Sequence, residues 1–253
     1  MSIETSIFLV VIGGIGGAWN AIAGGATLFT FPALMAVGLP PVVANATNYL
    51  ALLPSNAAAL PAYSRELKGV GRQIWPLLIV SGLGAIAGSL LLLASEEALF
   101  EFLIPFLILA ATFLFAFGSK IGGMLKQILS GRSSTLVLYT SLFLFSIYGG
   151  FFGAGLGIIL LAITQIMGFA SFHVANSLKN LMATSFTLLS VAVFGLGGII
   201  AWPEALVMMT GSTIGGYLGG RYGRLINESY LRTGVIAFGL FLSAIYLYRT
   251  FFQ

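Results

Sequence analysis

The chain contains no cysteine and a single histidine, and only 7% of its 253 residues carry a charge. Without cysteine there is no disulfide, no thiolate metal site and no cysteine nucleophile, and one imidazole alone does not make a metal centre. The scarcity of charge is more restrictive. With 58% hydrophobic residues and a mean hydropathy of +1.04, water cannot be the main solvent. No Asp, Glu, Lys, Arg or His occurs from Thr5 to Ser64, about three times the ~20 residues that cross a bilayer as a helix. Soluble enzymes, nucleic-acid binders and secreted disulfide scaffolds are excluded.

What is present is long, continuous and rich in Leu, Ala, Ile and Phe, unlike the ~10-residue alternating segments of a β-barrel. The expected fold is all-α, a polytopic integral membrane protein. The start Met1-Ser2-Ile3-Glu4 has no basic n-region, so no cleaved signal peptide is expected. The net charge of +4 reads as cytoplasmic loop chemistry, since Lys and Arg gather on that side of a membrane protein.

Charge and turn residues divide the chain into ten apolar segments near 5–20, 23–38, 42–63, 73–94, 98–118, 134–149, 155–168, 172–200, 203–220 and 230–249. The first two are short and broken by Gly13-Gly14, Gly16-Gly17 and Gly24-Gly25. The pair starting at Ser134 is broken by Gly149-Gly150, Gly153, Gly155 and Gly157. Each pair is either a re-entrant hairpin or two thin crossings. A repeat underlies this pattern. At an offset of 127, Gly71, Trp75, Pro76, Val80, Gly84 and Gly88 fall on Gly198, Trp202, Pro203, Val207, Gly211 and Gly215; at 131, Val43-Ala44-Asn45 falls on Val174-Ala175-Asn176 and Ala23-Gly24 on Ala154-Gly155. Residues 1–119 thus form a first membrane repeat and 134–253 a second, joined by a basic cytoplasmic linker at 120–133, all within one integrated transmembrane domain.

The distribution of positive charge chooses between two topologies. If each broken pair were one long span, the best orientation would leave Lys179, Arg221, Arg224 and Arg232 outside, a score of seven to four. If each pair returns to its own side or crosses twice, the second repeat is inverted and only Arg249 lies outside, ten to one. Two inverted repeats are expected, each a glycine-broken helical hairpin followed by three transmembrane helices. Lipid cannot satisfy the backbone groups that a broken helix frees, so both breaks must line a cavity or meet water, and sites between such repeats lie near the midplane.

Gly13-Gly14-Ile15-Gly16-Gly17, Ala23-Gly24-Gly25, Phe31-Pro32-Ala33-Leu34, Gly38 and Ala46-Thr47-Asn48, together with Gly149 to Gly157, Ala175 to Asn180 and Ala183-Thr184-Ser185, resemble the sulfite exporter TauE/SafE family, also called the toluene sulfonate uptake permease family. The second half departs from the pattern: it has no proline matching Pro32, and Ser177-Leu178-Lys179 stands where the first has Ala46-Thr47-Asn48. The resemblance implies movement of small anions, such as sulfite, organosulfonates or carboxylates, across the cytoplasmic membrane of a prokaryote.

Asn45 and Asn48, and likewise Asn176, Lys179 and Asn180, are spaced to share a helix face, and both groups follow a glycine break. Amide N–H groups, helix N-termini and an ammonium are what an oxyanion requires. The expected substrate site is Asn20, Gly24, Gly25, Asn45, Thr47, Asn48, Gly155, Gly157, Asn176, Lys179, Asn180, Thr184 and Ser185. Competing structural roles exist: Asn can bridge helices, Thr and Ser can bond their own backbone, and Lys179 can snorkel. Lys179 is the one Lys, Arg, Asp or Glu between Ser133 and Pro203, where a charge marks function by default. His173 reads as an interfacial or capping residue, and Trp75-Pro76 and Trp202-Pro203 as interfacial anchors at helix starts.

No catalytic kit of acid pair, nucleophile and base, or metal ligands is evident, so no enzyme activity, cofactor or metal is expected. The expected partners are a small anionic substrate and the lipid bilayer, with no nucleic acid and with a homodimer left open. A secondary transporter, chiefly an exporter, is the leading reading, with an anion channel or facilitator as the alternative.

Overall fold

The computed structural model describes residues 1–22, 25–57, 60, 64–129, 135–169, 171–222 and 228–252. Among them every regular element is helical, as expected where each backbone polar group must be satisfied without water. The helices are α1 (Ile3–Ile22), α2 (Thr27–Ala36), α3 (Pro41–Ala57), α4 (Ser64–Val70), α5 (Ile74–Leu93), α6 (Glu97–Leu129), α7 (Thr135–Phe151), α8 (Leu156–Ile166), α9 (Phe172–Leu196), α10 (Trp202–Tyr222) and α11 (Glu228–Phe252). A 3-10 turn, Gly71–Gln73, joins α4 to α5.

Among the described residues four stretches are long and apolar enough to cross a membrane: Ile3–Ala21, Glu66–Leu93, Glu97–Gly118 and Val174–Leu196. At 1.5 Å per residue, the 10 residues of α2 and the 11 of α8 reach about half of a ~30 Å hydrocarbon layer. Each follows a longer helix through a glycine turn and doubles back. Gly16 of α1 lies against Ala26 and Thr30, so α1 and α2 are antiparallel. At the tip of the second pair the Tyr148 hydroxyl donates to the Ala154 carbonyl at 2.7 Å.

The halves exchange partners. Gly13 of α1 faces Met208, Gly17 faces Ser212 and Gly219 of α10 faces Ala18, so α1 runs parallel to α10 with backbones in direct contact. Gly84 of α5 meets Phe143 and Ser146 of α7, and Gly88 meets Ile147 and Phe151, a second parallel seam. Small residues permit this approach, which packing rather than hydrophobicity must drive inside lipid. α3 also runs parallel to α10, with Ala201 N–H donating to Thr47 Oγ1 at 3.0 Å and the Ser212 hydroxyl to the Ala51 carbonyl. α3 and α9 cross antiparallel, where Tyr49 packs edge-on against Phe194 and Asn56 meets Thr187. α6 and α11 pair antiparallel, Thr112 against Gly239 and Phe102 against Phe251.

Two differences from the sequence boundaries have one cause. α6 continues through Lys120 to Leu129, and α4 forms around Glu66 and Lys68, because a charge ends an apolar run without ending a helix. Glu97, at the start of α6, accepts the Val42 N–H at 2.8 Å, so a carboxylate from one helix caps the first turn of α3, where N–H groups lack helical partners.

Candidate functional site

Both glycine breaks open onto one cavity of about 90 Å³, lined from the first half by Asn20, Gly25, Thr27, Asn48, Tyr49 and Asn56. From the second half Gly153, Gly155, Gly157, Lys179, Asn180 and Thr187 complete the wall. At roughly 10–15 Å³ per water, it holds several waters or one small oxyanion. α6 fixes the two breaks at nearly one depth. A side chain on Gly25 would enter the Phe115 ring, and one on Gly155 would touch Ala111 and Leu114 at 3.3–3.4 Å, residues separated by about one helical turn.

The glycines are required by conformation. Gly25 has φ +83° and Gly155 φ +77°, values that cost an L-residue roughly 1–2 kcal/mol. Gly155 is the N-cap of α8, and Leu156 and Gly157 continue its first turn along the cavity wall. Gly25 and Thr27 place the start of α2 on the same cavity. Two half-membrane helices thus bring positive dipole ends and first-turn N–H groups to one space.

The side chains differ between the two sides. Asn48 is buried, its Oδ1 accepting from Thr30 and its Nδ2 donating to Thr27 Oγ1 at 3.2 Å. This network orients the amide and leaves a second N–H on Nδ2 at the cavity wall. Asn20 donates from Nδ2 to Ser55 Oγ at 3.0 Å and to Asn56 Oδ1 at 2.7 Å, and Asn56 passes the chain to Thr187 Oγ1 at 3.5 Å. Asn20 therefore stitches the end of α1 to α3. Lys179, half-buried beside Gly157, is the one charged side chain among the described residues lining the cavity, and no carboxylate lies with it.

Of the residues expected from sequence, the cavity gathers Asn20, Gly25, Asn48, Gly155, Gly157, Lys179 and Asn180. Others sit elsewhere. Asn45 is fully buried, donating to the Phe151 carbonyl at 2.8 Å, and its Oδ1 has no partner among the described residues. Thr47 holds the start of α10, and Thr184 bonds its own helix at the Asn180 carbonyl at 2.9 Å. Asn176 and Ser185 are half-buried on α9 outside the cavity wall, Asn176 having a bonded or electrostatic partner of its own. Gly24 lies outside the described residues, as does the side chain of His173. Trp75 and Trp202 are exposed at helix starts, away from the cavity. Thr27, Tyr49, Asn56 and Thr187 were missed by sequence reasoning. For two of them a signal existed, because Thr187 follows Asn56 by the repeat offset of 131.

A multi-pass helical membrane protein whose interrupted helices meet at a polar internal cavity has the architecture of a membrane transporter. The chain belongs to the family described as Sulfite exporter TauE/SafE, which it matches over residues 9–247. It is similar to a probable membrane transporter protein of Haemophilus influenzae, at 35% identity over 98% of this chain and 96% of the relative. The probable membrane transporter protein ORF9 of Sinorhizobium sp is 29% identical over 85% and 82% of the two chains. The probable membrane transporter protein YfcA of Escherichia coli K12 is 29% identical over 92% and 86%. No solved structure matches.

Proposed function

We propose that this chain is a secondary transporter, working chiefly as an exporter, of small sulfur-containing or carboxylate oxyanions across the cytoplasmic membrane of a prokaryote. The observation that carries the proposal is the convergence of both glycine breaks, two half-helix N-termini and Lys179 on one cavity without a carboxylate among its described lining residues. A cation would find no counter-charge in that wall, whereas an oxyanion finds an ammonium and several N–H donors.

The two halves are proposed to be inverted in the membrane. Three things support this: the antiparallel α1–α2 pair, the exchanged parallel seams of α1 with α10 and α5 with α7, and the antiparallel crossing of α3 and α9. With that path, Lys68, Arg72, Lys120 and Arg221 fall on one face and Glu4, Glu97, Glu204 and Arg249 on the other, the first being cytoplasmic. Anion export then runs down the electrical gradient, gaining ~2.3 kcal/mol per charge per 100 mV.

The test is flux in reconstituted vesicles of the whole chain, with sulfite, a panel of sulfonates and carboxylates, and sodium or potassium as cation controls. Saturable, potential-driven anion movement with counterflow is expected, and Lys179→Met should weaken it while Lys179→Arg retains part. Saturation without counterflow, or strictly linear flux, would assign a channel or facilitator instead. Cation flux, or full anion affinity in Lys179→Met, would overturn the site.

A further inference from the structure

At the second break α7 ends at Phe151, and the carbonyls of its last turn are held from outside the helix. The N–H groups of Phe152 and Gly153 both return to the Tyr148 carbonyl, at 2.9 and 3.1 Å, so among the described residues no backbone donor reaches the carbonyls of Gly149, Gly150 or Phe151. At membrane depth such groups must find donors on another element. All three do. The Tyr49 hydroxyl donates to the Gly149 carbonyl and Asn45 Nδ2 to that of Phe151 at 2.8 Å, both from α3 of the other half, while Ser89 of α5 adds a longer contact to Gly150 at 3.4 Å. A methyl group on Gly153, itself at φ +76°, would come within 2.7 Å of the Tyr49 hydroxyl, so the phenol is seated directly against the turn.

We propose that Tyr49, with Asn45 one turn before it on α3, is the positioning residue of the second break and sets where the α8 N-terminus stands in the cavity. The connection from Gly149 to that N-terminus is short and tied, because the Tyr148 hydroxyl holds the Ala154 carbonyl and Gly155 is already the N-cap of α8. Any shift of the α7 end therefore carries the first-turn N–H groups of α8 with it. α3 also brings Asn48 to the same cavity, so one helix fixes the spacing between its own amide and the dipole end supplied by the other half. Tyr49 contributes its ring to the cavity wall, its O–H being committed to Gly149. Asn45, buried away from the cavity, acts through the Phe151 carbonyl. The effect on an anion rests on the proposed function of this cavity, where donors held in place in advance bind an oxyanion better than donors that must be gathered.

Hydrogen exchange in the purified full chain, followed by mass spectrometry, reads the break without any ligand. Tyr49→Phe keeps the ring and strands the Gly149 carbonyl, so amides 152–157 should exchange about tenfold faster, while those of the first break, 27–31, keep their rates. Flux in reconstituted vesicles then separates positioning from mere support. In Tyr49→Phe the KM for the transported anion should rise about tenfold, with the maximal rate per folded protein within about twofold of the parent chain. A lowered maximal rate at unchanged KM, or unchanged exchange at 152–157, overturns the proposal. If the parent chain moves no oxyanion of the panel, the proposed function falls instead, and the exchange comparison alone decides whether Tyr49 holds the break. If Tyr49→Phe does not fold, Asn45→Leu, which strands the Phe151 carbonyl, is read in the same two ways.

Discussion

The two glycine breaks are built alike in backbone and unlike in chemistry. Each is a φ-positive glycine leading into a half-membrane helix, and each rests on the same turn of α6. Yet on the helix that follows, Asn48 in the first half is replaced by Lys179 in the second, 131 residues later. Asn48 is tied into its own half by Thr27 and Thr30, whereas Lys179 extends past Gly157 to the cavity. Among the described lining residues the charge therefore sits on one side of the cavity. Under the proposed function, the neutral side fixes shape and the charged side attracts.

That division of labour can be broken most severely at the glycines themselves. Gly25→Ala should cost about 3 kcal/mol or more, combining the ~1–2 kcal/mol of a left-handed residue with overpacking against Phe115. Gly155→Ala should cost only about 1–2 kcal/mol, because its nearest neighbour lies 3.3 Å from the added carbon. Thermal unfolding of the two purified variants reads the difference, and equal losses would deny that the first break is the tighter. Next in size is the charge: Lys179→Met should weaken anion binding by about 10- to 100-fold, ~1.4–2.8 kcal/mol, with little change in melting temperature. Asn48→Ala should do the reverse, losing about 1–2 kcal/mol of stability with its bonds to Thr27 and Thr30 while sparing more of the affinity. If calorimetry and flux find the two variants indistinguishable, the split between shape and charge fails.

The smallest effect concerns the opposite membrane face. Glu97→Ala removes the carboxylate at the first turn of α3 and should cost about 1 kcal/mol, while Glu97→Gln keeps an acceptor and should cost less. The two halves can also be compared by sidedness. Single cysteines at Lys68 and Arg221 should react with a membrane-impermeant maleimide from one face, and one at Arg249 from the other. Labelling of Lys68→Cys and Arg221→Cys from opposite faces would remove the inversion.

Membrane residence, helical class and the position of both breaks were legible in the sequence because lipid tolerates few exceptions: charge must be rare, and helices must be satisfied or visibly interrupted. Gly25, Asn48, Gly155 and Lys179 were legible for the same reason, as breaks or polar groups in segments where neither is neutral. What escaped was tertiary. Asn20 does line the cavity, but nothing local shows that its amide nitrogen donates to Ser55 and Asn56. Thr47 and Thr184 likewise have the right spacing and the wrong partners. Tyr49 reads as core from its neighbours, and only the crossing of α3 with α9 brings it to the cavity.

The backbone seams of α1 with α10 and α7 with α5 bear on motion. At Gly17 and Gly88 the main chains touch without room for a methyl group, so these pairs slide or separate only at high cost. A rocking movement that spared the seams would carry α1 with α10 and α7 with α5, so its dividing plane would run through each half of the sequence instead of between the halves.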